Sequence, residues 1–293
     1  MPGLKEVRTR IASVKSTQQI TSAMKMVSAS KLKRGQNAIQ KLRPYAGKLK
    51  ELLENLSASL SSSDNVYSKE RKIQKALIIV VTSNRGLCGA FNGNVIKTTV
   101  NIIRTKYAEI NKSGNLDLFC IGKMGADFFT RRKYNVIDTN HHILDSSKFE
   151  NVAPIAERLM KDFKDGKYDH IEVVYNMFKN AAVQILSNEQ FLPVLKPQPV
   201  KGKEKLVADY IYEPDKEQIV AELIPKSLKI QFYKIILDSI AAEHGARMTA
   251  MHKATDNADS LLKELRLSYN KARQASITKE ILEIVGGAEA LKG

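Results

Sequence analysis

The sequence predicts an α/β fold combined with a coiled coil: an antiparallel two-helix coiled coil drawn from both termini, with an α/β domain between them. Three observations carry that prediction. Apolar residues recur at alternating steps of three and four through residues 1–60, and the same spacing returns through residues 216–293. In residues 61–215, β-branched runs alternate with amphipathic helical stretches.

From Leu4 the first seam passes through Val7, Ile11, Val14, Gln18, Thr21, Lys25, Ser28, Leu32, Gly35, Ile39, Leu42, Ala46, Leu49, Leu53, Leu56 and Leu60. Sustained spacing of about 3.5 residues belongs to a coiled coil, which needs a partner helix along its whole length. Between Gln18 and Ser28 the seam turns polar. Ile20, Met24 and Val27 are expected to carry the apolar stripe there instead, with a local shift in supercoiling. Pro44 is expected to bend or loosen this helix, because it removes a backbone donor and crowds the carbonyl four residues back. The second seam runs from Ile219 through Leu223, Ile230, Tyr233, Leu237, Ile240, Met251, Ala254, Ala258, Leu261, Leu265, Ala272 and Ala275 to Leu282, with Pro225 as a kink or restart. At about 1.5 Å per residue, the two helices would be roughly 85 Å and 100 Å long. Neither fits within a compact domain, and the simplest partner for each seam is the other helix.

The middle of the chain reads as alternating strands and helices. Residues 75–83 (KALIIVVTS) suit a strand buried on both faces, ended by the turn residues of NRGLCG. Asn92 to about Ile110 is a predicted helix and residues 116–122 a second buried strand. Short helices follow over 123–133 and 150–164, the latter with Val152, Ile155, Ala156, Leu159 and Phe163 in helical spacing. Residues 170–178 form a third strand. This alternation implies a mostly parallel sheet covered on both faces, a Rossmann-like domain. Residues 195–205 read as a polar, proline-bearing loop, and 207–215 as a last strand or an extended linker. SLSSSDN at 59–65 marks the opposite boundary.

With no Trp and only 6% aromatic residues in 293, the cores must be built from Leu, Ile, Val, Ala and Met. Cys88 and Cys120 are too few for a disulfide scaffold and lack zinc-ligand spacing, so a reducing compartment is expected. No run of 18 apolar residues occurs, and MPGLKEVRTR lacks the apolar stretch of a secretory signal, so neither a membrane span nor export is expected. The net charge of +16 is uneven: residues 1–50 hold twelve Lys or Arg and one acid, Glu6. Such a stripe suits nucleic acid, an anionic lipid surface or an acidic protein.

Chemistry is sparse. The turn Asn84-Arg85-Gly86-Leu87-Cys88-Gly89 follows the first strand, where a phosphate cradle would lie, but it lacks G-x-G-x-x-G, and the chain has no G-x-x-x-x-G-K-[ST]. A tight turn needing small residues is the better account. Cys88 lies beside Arg85, which would favour a thiolate, yet without a nearby His or second Cys it reads as a buried small hydrophobe. His141, His142, His170, His244 and His252 form no His-x3-His pair and no H-E-x-x-H run. His244 and Arg247 interrupt the second seam; they lie either where it opens to solvent or facing a partner other than the first helix. Asp256, Asp259, Glu264, Glu280 and Glu283 read as a solvated helix flank. A basic coiled-coil protein that binds nucleic acid is the alternative function, although no recognised nucleic-acid motif appears.

The stretch ATDNADSLLKELRLSYNKARQASITKEILEIVGGAEAL (254–291) is long and idiosyncratic, and with IASVKSTQQITSAMKMVSASKL (11–32), RPYA (43–46), SNRGLCGAFN (83–92) and YIYEPD (210–215), in that order, it resembles the gamma subunit of F-type ATP synthase. The resemblance covers essentially the whole chain and implies helix, α/β domain, helix. It implies a non-catalytic rotor subunit of the central stalk, with no cofactor and no small-molecule substrate of its own. Its partners would be a hexamer of alpha and beta subunits, the epsilon subunit and the membrane c-ring, and not nucleic acid. Met24, Lys25, Arg247, Gln274, Thr278 and Glu280 are implied near the beta-subunit loops that catch the shaft. Ile281, Leu282, Ile284, Val285 and Leu291 would face the apolar sleeve of the hexamer, and Tyr210, Tyr212, Glu213 and Asp215 would lie near epsilon and the c-ring. The cysteine segment of chloroplast relatives is missing, so thiol control is not expected. The absence of a transit peptide favours a peripheral protein on the cytoplasmic side of a bacterial inner membrane, though a processed mitochondrial chain would look alike.

Overall fold

The computed structural model describes residues 4–59, 66–69, 71–194 and 216–290. Helix α1 spans Leu4–Ser59 and is followed by a single 3-10 turn, Val66–Ser68. Then come β1 (Ala76–Val81), α2 (Phe91–Thr105), α3 (Ala108–Lys112), β2 (Leu116–Ile121), α4 (Lys123–Arg131), β3 (Val136–Asn140), α5 (Phe149–Lys164), β4 (His170–Phe178) and β5 (Gln184–Leu192). Helix α6 closes the chain over Lys216–Ala290. Both long helices continue through their prolines, Pro44 and Pro225. The chain divides into two compact units, one of residues 29–247 and one formed by the two ends, 1–28 with 248–293.

In the larger unit the strands are ordered β3-β2-β1-β4-β5. The first four are parallel and β5 runs antiparallel to β4. β1 is a continuous apolar run, and β2 is apolar but for Asp117, because both their faces are covered. On one face Leu77, Ile79, Val81, Phe119, Val173 and Tyr175 pack against α5 and α6 through Val152, Leu159, Phe163, Phe232 and Ile236. On the other, Ile78, Val80, Leu118, Cys120 and Val174 meet Val95, Ile103 and Phe129 of α2 and α4. Cys120 lies wholly inside this layer, and burial pushes its thiol up to about 12.

Two strands escape the sequence pattern. β3 is a short edge strand whose residues are half-buried or exposed, and β5 (QILSNEQFL) carries too many polar residues to read as apolar. The single helix expected over 92–110 is broken at Lys106-Tyr107, where Tyr107 turns its hydroxyl into a buried polar network. The loop and strand expected over 195–215 lie outside the described residues.

One contact exploits a glycine in full. Gly122 follows β2 at φ +100°, and a Cβ there would stand 2.2 Å from the Thr82 carbonyl oxygen. Next to it, Gly125 N donates to Thr82 Oγ1 at 2.9 Å.

The smaller unit is an antiparallel helical hairpin whose register is fixed by polar pairs. Gln18 Nε2 donates to Asp259 Oδ1, Thr21 and Thr255 share a hydroxyl bond of 2.9 Å, and Lys25 Nζ stands 3.5 Å from His252 Nδ1. The expected local shift of the seam does not occur. Thr21 and Ser28 are buried, whereas Ile20 is 57% exposed and Val27 58% exposed. The physical reason is that each polar seam residue has a polar partner, so the original register costs little and the apolar residues are left facing outward.

Candidate partner-binding surfaces

In a doubly wound sheet, ligands enter the crevice beyond the carboxyl ends of the strands where the winding reverses. Here that place lies between β1 and β4, because β2 and β3 are laid to one side of β1 and β4 to the other. The β1–α2 turn reaches it, and the crevice is filled by the chain itself. Ala242 and Ala246 of α6 pack on Cys88, Phe91 and Phe178. Arg247 Nη2 donates to the carbonyl oxygens of Arg85 at 2.8 Å and Gly86 at 3.3 Å, while its Nη1 pairs with Glu243 at 2.5 Å. Ser83, which leads into the turn, serves the fold: its N donates to Asn92 Oδ1 at 2.9 Å and its Oγ to Arg85 O at 2.7 Å.

Cys88 is buried, and burial raises its thiol pKa although Ser83 and Arg247 act the other way. That matches the small buried hydrophobe read from the sequence. Arg247 takes the second of the two positions read from the seam, facing a partner other than the first helix. It is buried against the turn of its own domain, neither open to solvent nor free on the helix surface. His244 is half-buried beside it; burial, then the charges of Arg247 and Lys31, bring its pKa down to about 4, so the ring is neutral at pH 7.

Surfaces able to receive a partner lie elsewhere. Leu87, which sequence reasoning passed over, has φ +61° and is 65% exposed on the turn that Arg247 grips. A leucine held in the left-handed region and turned to water is a local backbone strain, which makes Leu87 a candidate contact. Its only sequence signal is its place between Gly86 and Gly89.

On the hairpin, Met24 and Lys25 are half-buried, and Ile20, Met26 and Val27 face outward beside them. The register set by Gln18–Asp259 brings Leu4 opposite about residue 273, so α6 runs on for some 25 Å beyond the described start of α1 at about 1.5 Å per residue. On this overhang Gln274, Thr278, Glu280, Ile281, Leu282, Ile284 and Val285 are all exposed. A helix end with apolar residues on several faces is a surface awaiting cover. Leu291, Tyr210, Tyr212, Glu213 and Asp215 lie outside the described residues.

Comparison with known proteins gives this architecture its context. Residues 3–291 match a family model described as ATP synthase. The ATP synthase gamma chain of Flavobacterium psychrophilum is 58% identical over 295 residues, covering the whole of both chains. The chain belongs to the ATP synthase gamma-chain family. The family's member from Cytophaga hutchinsonii is 54% identical over 294 residues, with 99% of each chain covered. Among solved structures, a chain of the Euglena gracilis mitochondrial ATP synthase (OSCP/F1/c-ring, rotational state 3) matches with a TM-score of 0.67 at 18% identity, covering 98% of this chain and 94% of that one. A chain of the Tetrahymena thermophila mitochondrial ATP synthase central stalk and c-ring matches with a TM-score of 0.57 at 24% identity, over 80% of this chain and 99% of that one. At these identities the likeness extends to the fold. Among the described residues no helix is long and apolar enough to cross a membrane.

Proposed function

We propose that the chain is the central rotor subunit of a membrane-bound ATP synthase and does no chemistry itself. Its helical hairpin turns inside a hexamer of alternating alpha and beta subunits, and its α/β domain meets the epsilon subunit and the c-ring on the cytoplasmic side of a bacterial inner membrane. The observation that carries this reading, beside the family, is the hairpin's polar seam. Polar pairs hold the two helices together while Ile20, Met26 and Val27 are left facing out, an arrangement that sacrifices internal apolar packing for external contact.

The mechanism is differential contact. Each elementary charge crossing 100 mV makes about 2.3 kcal/mol available to turn the ring. A two-helix shaft has no threefold symmetry, so at any angle it offers each beta subunit a different face. Three sites then hold three conformations, and rotation exchanges them by changing which state the shaft favours. Met24, Lys25, Gln274, Thr278 and Glu280 would meet the beta loops. The overhang of Ile281, Leu282, Ile284 and Val285, with Leu291, would seat in an apolar sleeve. Tyr210, Tyr212, Glu213 and Asp215 would serve the epsilon and c-ring end.

The direct test is reconstitution: mixed with alpha and beta subunits, the full chain confers sustained ATP hydrolysis, and with the chain alone there is neither turnover nor tight ATP binding. Absence of turnover in the mixture would remove the reading. A finer prediction concerns Met24, half-buried beside the exposed stripe. Met24→Lys is expected to leave assembly intact and lower the protons pumped per ATP hydrolysed, because the added charge alters contact with the surrounding loops at particular angles. Unchanged pumping per ATP in that variant would count against a beta-loop contact at this position.

A further inference from the structure

Torque delivered to the α/β domain has to leave it through a helix, and within the larger unit one short stretch of α6 is gripped from several directions. Over Ala242–Arg247 the helix is fixed three times. Ala242 and Ala246 pack on Cys88, Phe91 and Phe178. Gly245 lies against the β4–β5 turn, where a Cβ would stand 3.2 Å from the Ala181 carbonyl oxygen. Arg247 then reaches across to the β1–α2 turn, placing one nitrogen on Glu243 and the other on the carbonyls of Arg85 and Gly86.

The first two grips are apolar or steric and would permit the helix to creep by small repacking. The third is directional. A planar guanidinium in which one arm is held by a carboxylate and the other by two carbonyls fixes helix and turn in one relative orientation. The turn is in turn braced from beneath by Ser83 and Asn92, and Asn92's own helix is tied to β4 by Asn176 Nδ2 donating to Phe91 O at 3.1 Å. The grip therefore reaches the centre of the sheet. Both partners of the ion pair are buried, and Glu243, whose pKa burial pushes up, has Arg247 at hydrogen-bonding distance to hold its charge.

We propose that Arg247 is a positioning residue that locks α6 to the α/β domain and hands turning force from the domain to the helix. The proposal rests on the rotor reading above but concerns a different contact from those with the beta loops. Lysine cannot substitute, because a single ammonium on a flexible stem does not orient two carbonyls and a carboxylate together.

Cys88 supplies the readout. It is shielded by the gripped turn and by Ala242 and Ala246, whereas Cys120 is buried in the sheet away from them. In the full chain, maleimide labelling followed by peptide mapping is expected to show Cys88 reacting roughly tenfold or more faster in Arg247→Ala than in the parent, the scale of losing a hydrogen bond to a charged group. Cys120 keeps its parent rate. Loss of the nearby positive charge would by itself disfavour the Cys88 thiolate, so faster labelling reports opening of the turn. Arg247→Lys is expected to label as fast as the alanine variant, and Glu243→Gln, which loosens the guanidinium from a buried position, partway between. In the complete ATP synthase held in sealed vesicles, all three variants should hydrolyse ATP with fewer protons pumped per ATP. Cys88 labelling at the parent rate in Arg247→Ala, or full recovery of coupling by Arg247→Lys, would overturn the proposal. If the parent chain itself fails to support turnover, the rotor reading fails, and the labelling result still decides whether Arg247 locks the turn.

Discussion

Gly122→Ala is expected to lower the thermal midpoint of the full chain by roughly 10 °C, corresponding to about 4 kcal/mol for a unit of this size. Two costs add. The backbone at φ +100° is closed to residues with a Cβ, and the new methyl would collide with the Thr82 carbonyl at 2.2 Å. The carbonyl cannot yield, because Thr82 lies at the end of β1, its N donating to Ile121 O at 2.8 Å, so any shift pulls apart the two central strands. The variant should also lose much of its soluble yield. A midpoint within about 2 °C of the parent, a fraction of a kcal/mol at this size, would mean that the strand ends move apart far more easily than their hydrogen bonding implies.

Glu172→Gln is the second large effect, and it depends on pH. Glu172 is buried on β4, where it accepts from Tyr107 Oη at 2.7 Å, Lys106 Nζ at 2.9 Å and Asn188 Nδ2 at 2.6 Å. Burial alone would raise its pKa, but these donors bring it below the ordinary value. A depressed carboxyl pKa contributes stability that is present above the unfolded pKa and disappears as pH falls through the folded one. Removing the charge at pH 7 should therefore cost about 2–3 kcal/mol, with the half-exposed Lys106 supplying little of it. The gap between parent and variant, measured by urea unfolding, should narrow progressively below the ordinary carboxyl pKa. His170, whose Nδ1 lies 2.9 Å from Tyr107 Oη, adds a separate slope. Burial lowers its pKa, so the unfolded chain takes up this proton first and stability declines from about pH 6.5 downward in both proteins. A gap of constant size from pH 7 to pH 4 would exclude a charged Glu172 in the folded state.

Much of the fold was legible because its strongest signals are periodic. The seam from Leu4 to Leu49 is buried or half-buried at every predicted position, and the three apolar strands are where β-branched runs placed them. What misled the reading at Ile20 and Val27 was treating hydrophobicity as the sole guide to burial; Thr21 and Ser28 occupy the seam because hydroxyls there find partners at short range. β3 and β5 were invisible for the opposite reason, since edge strands need only one covered side. Between Phe232 and Ala242 the second seam disappears into a helix buried on nearly every face, because the sheet takes the side that a two-stranded coil would leave to water. Arg247 was singled out from the sequence as an anomaly, but the partner that explains it lies 161 residues away in Gly86, a distance no local pattern spans.

The cross-helix pairs of the hairpin have a consequence for sliding. Displaced by one heptad in one direction, Asp259 would stand beside Ile11; in the other, Thr21 would face Leu262, and in either case hydrogen-bonding groups would be stranded against hydrocarbon. Two smooth leucine seams would tolerate such a displacement. These two helices behave instead like a key and its wards, admitting a single longitudinal alignment, so a rod loaded along its axis cannot creep to a neighbouring notch.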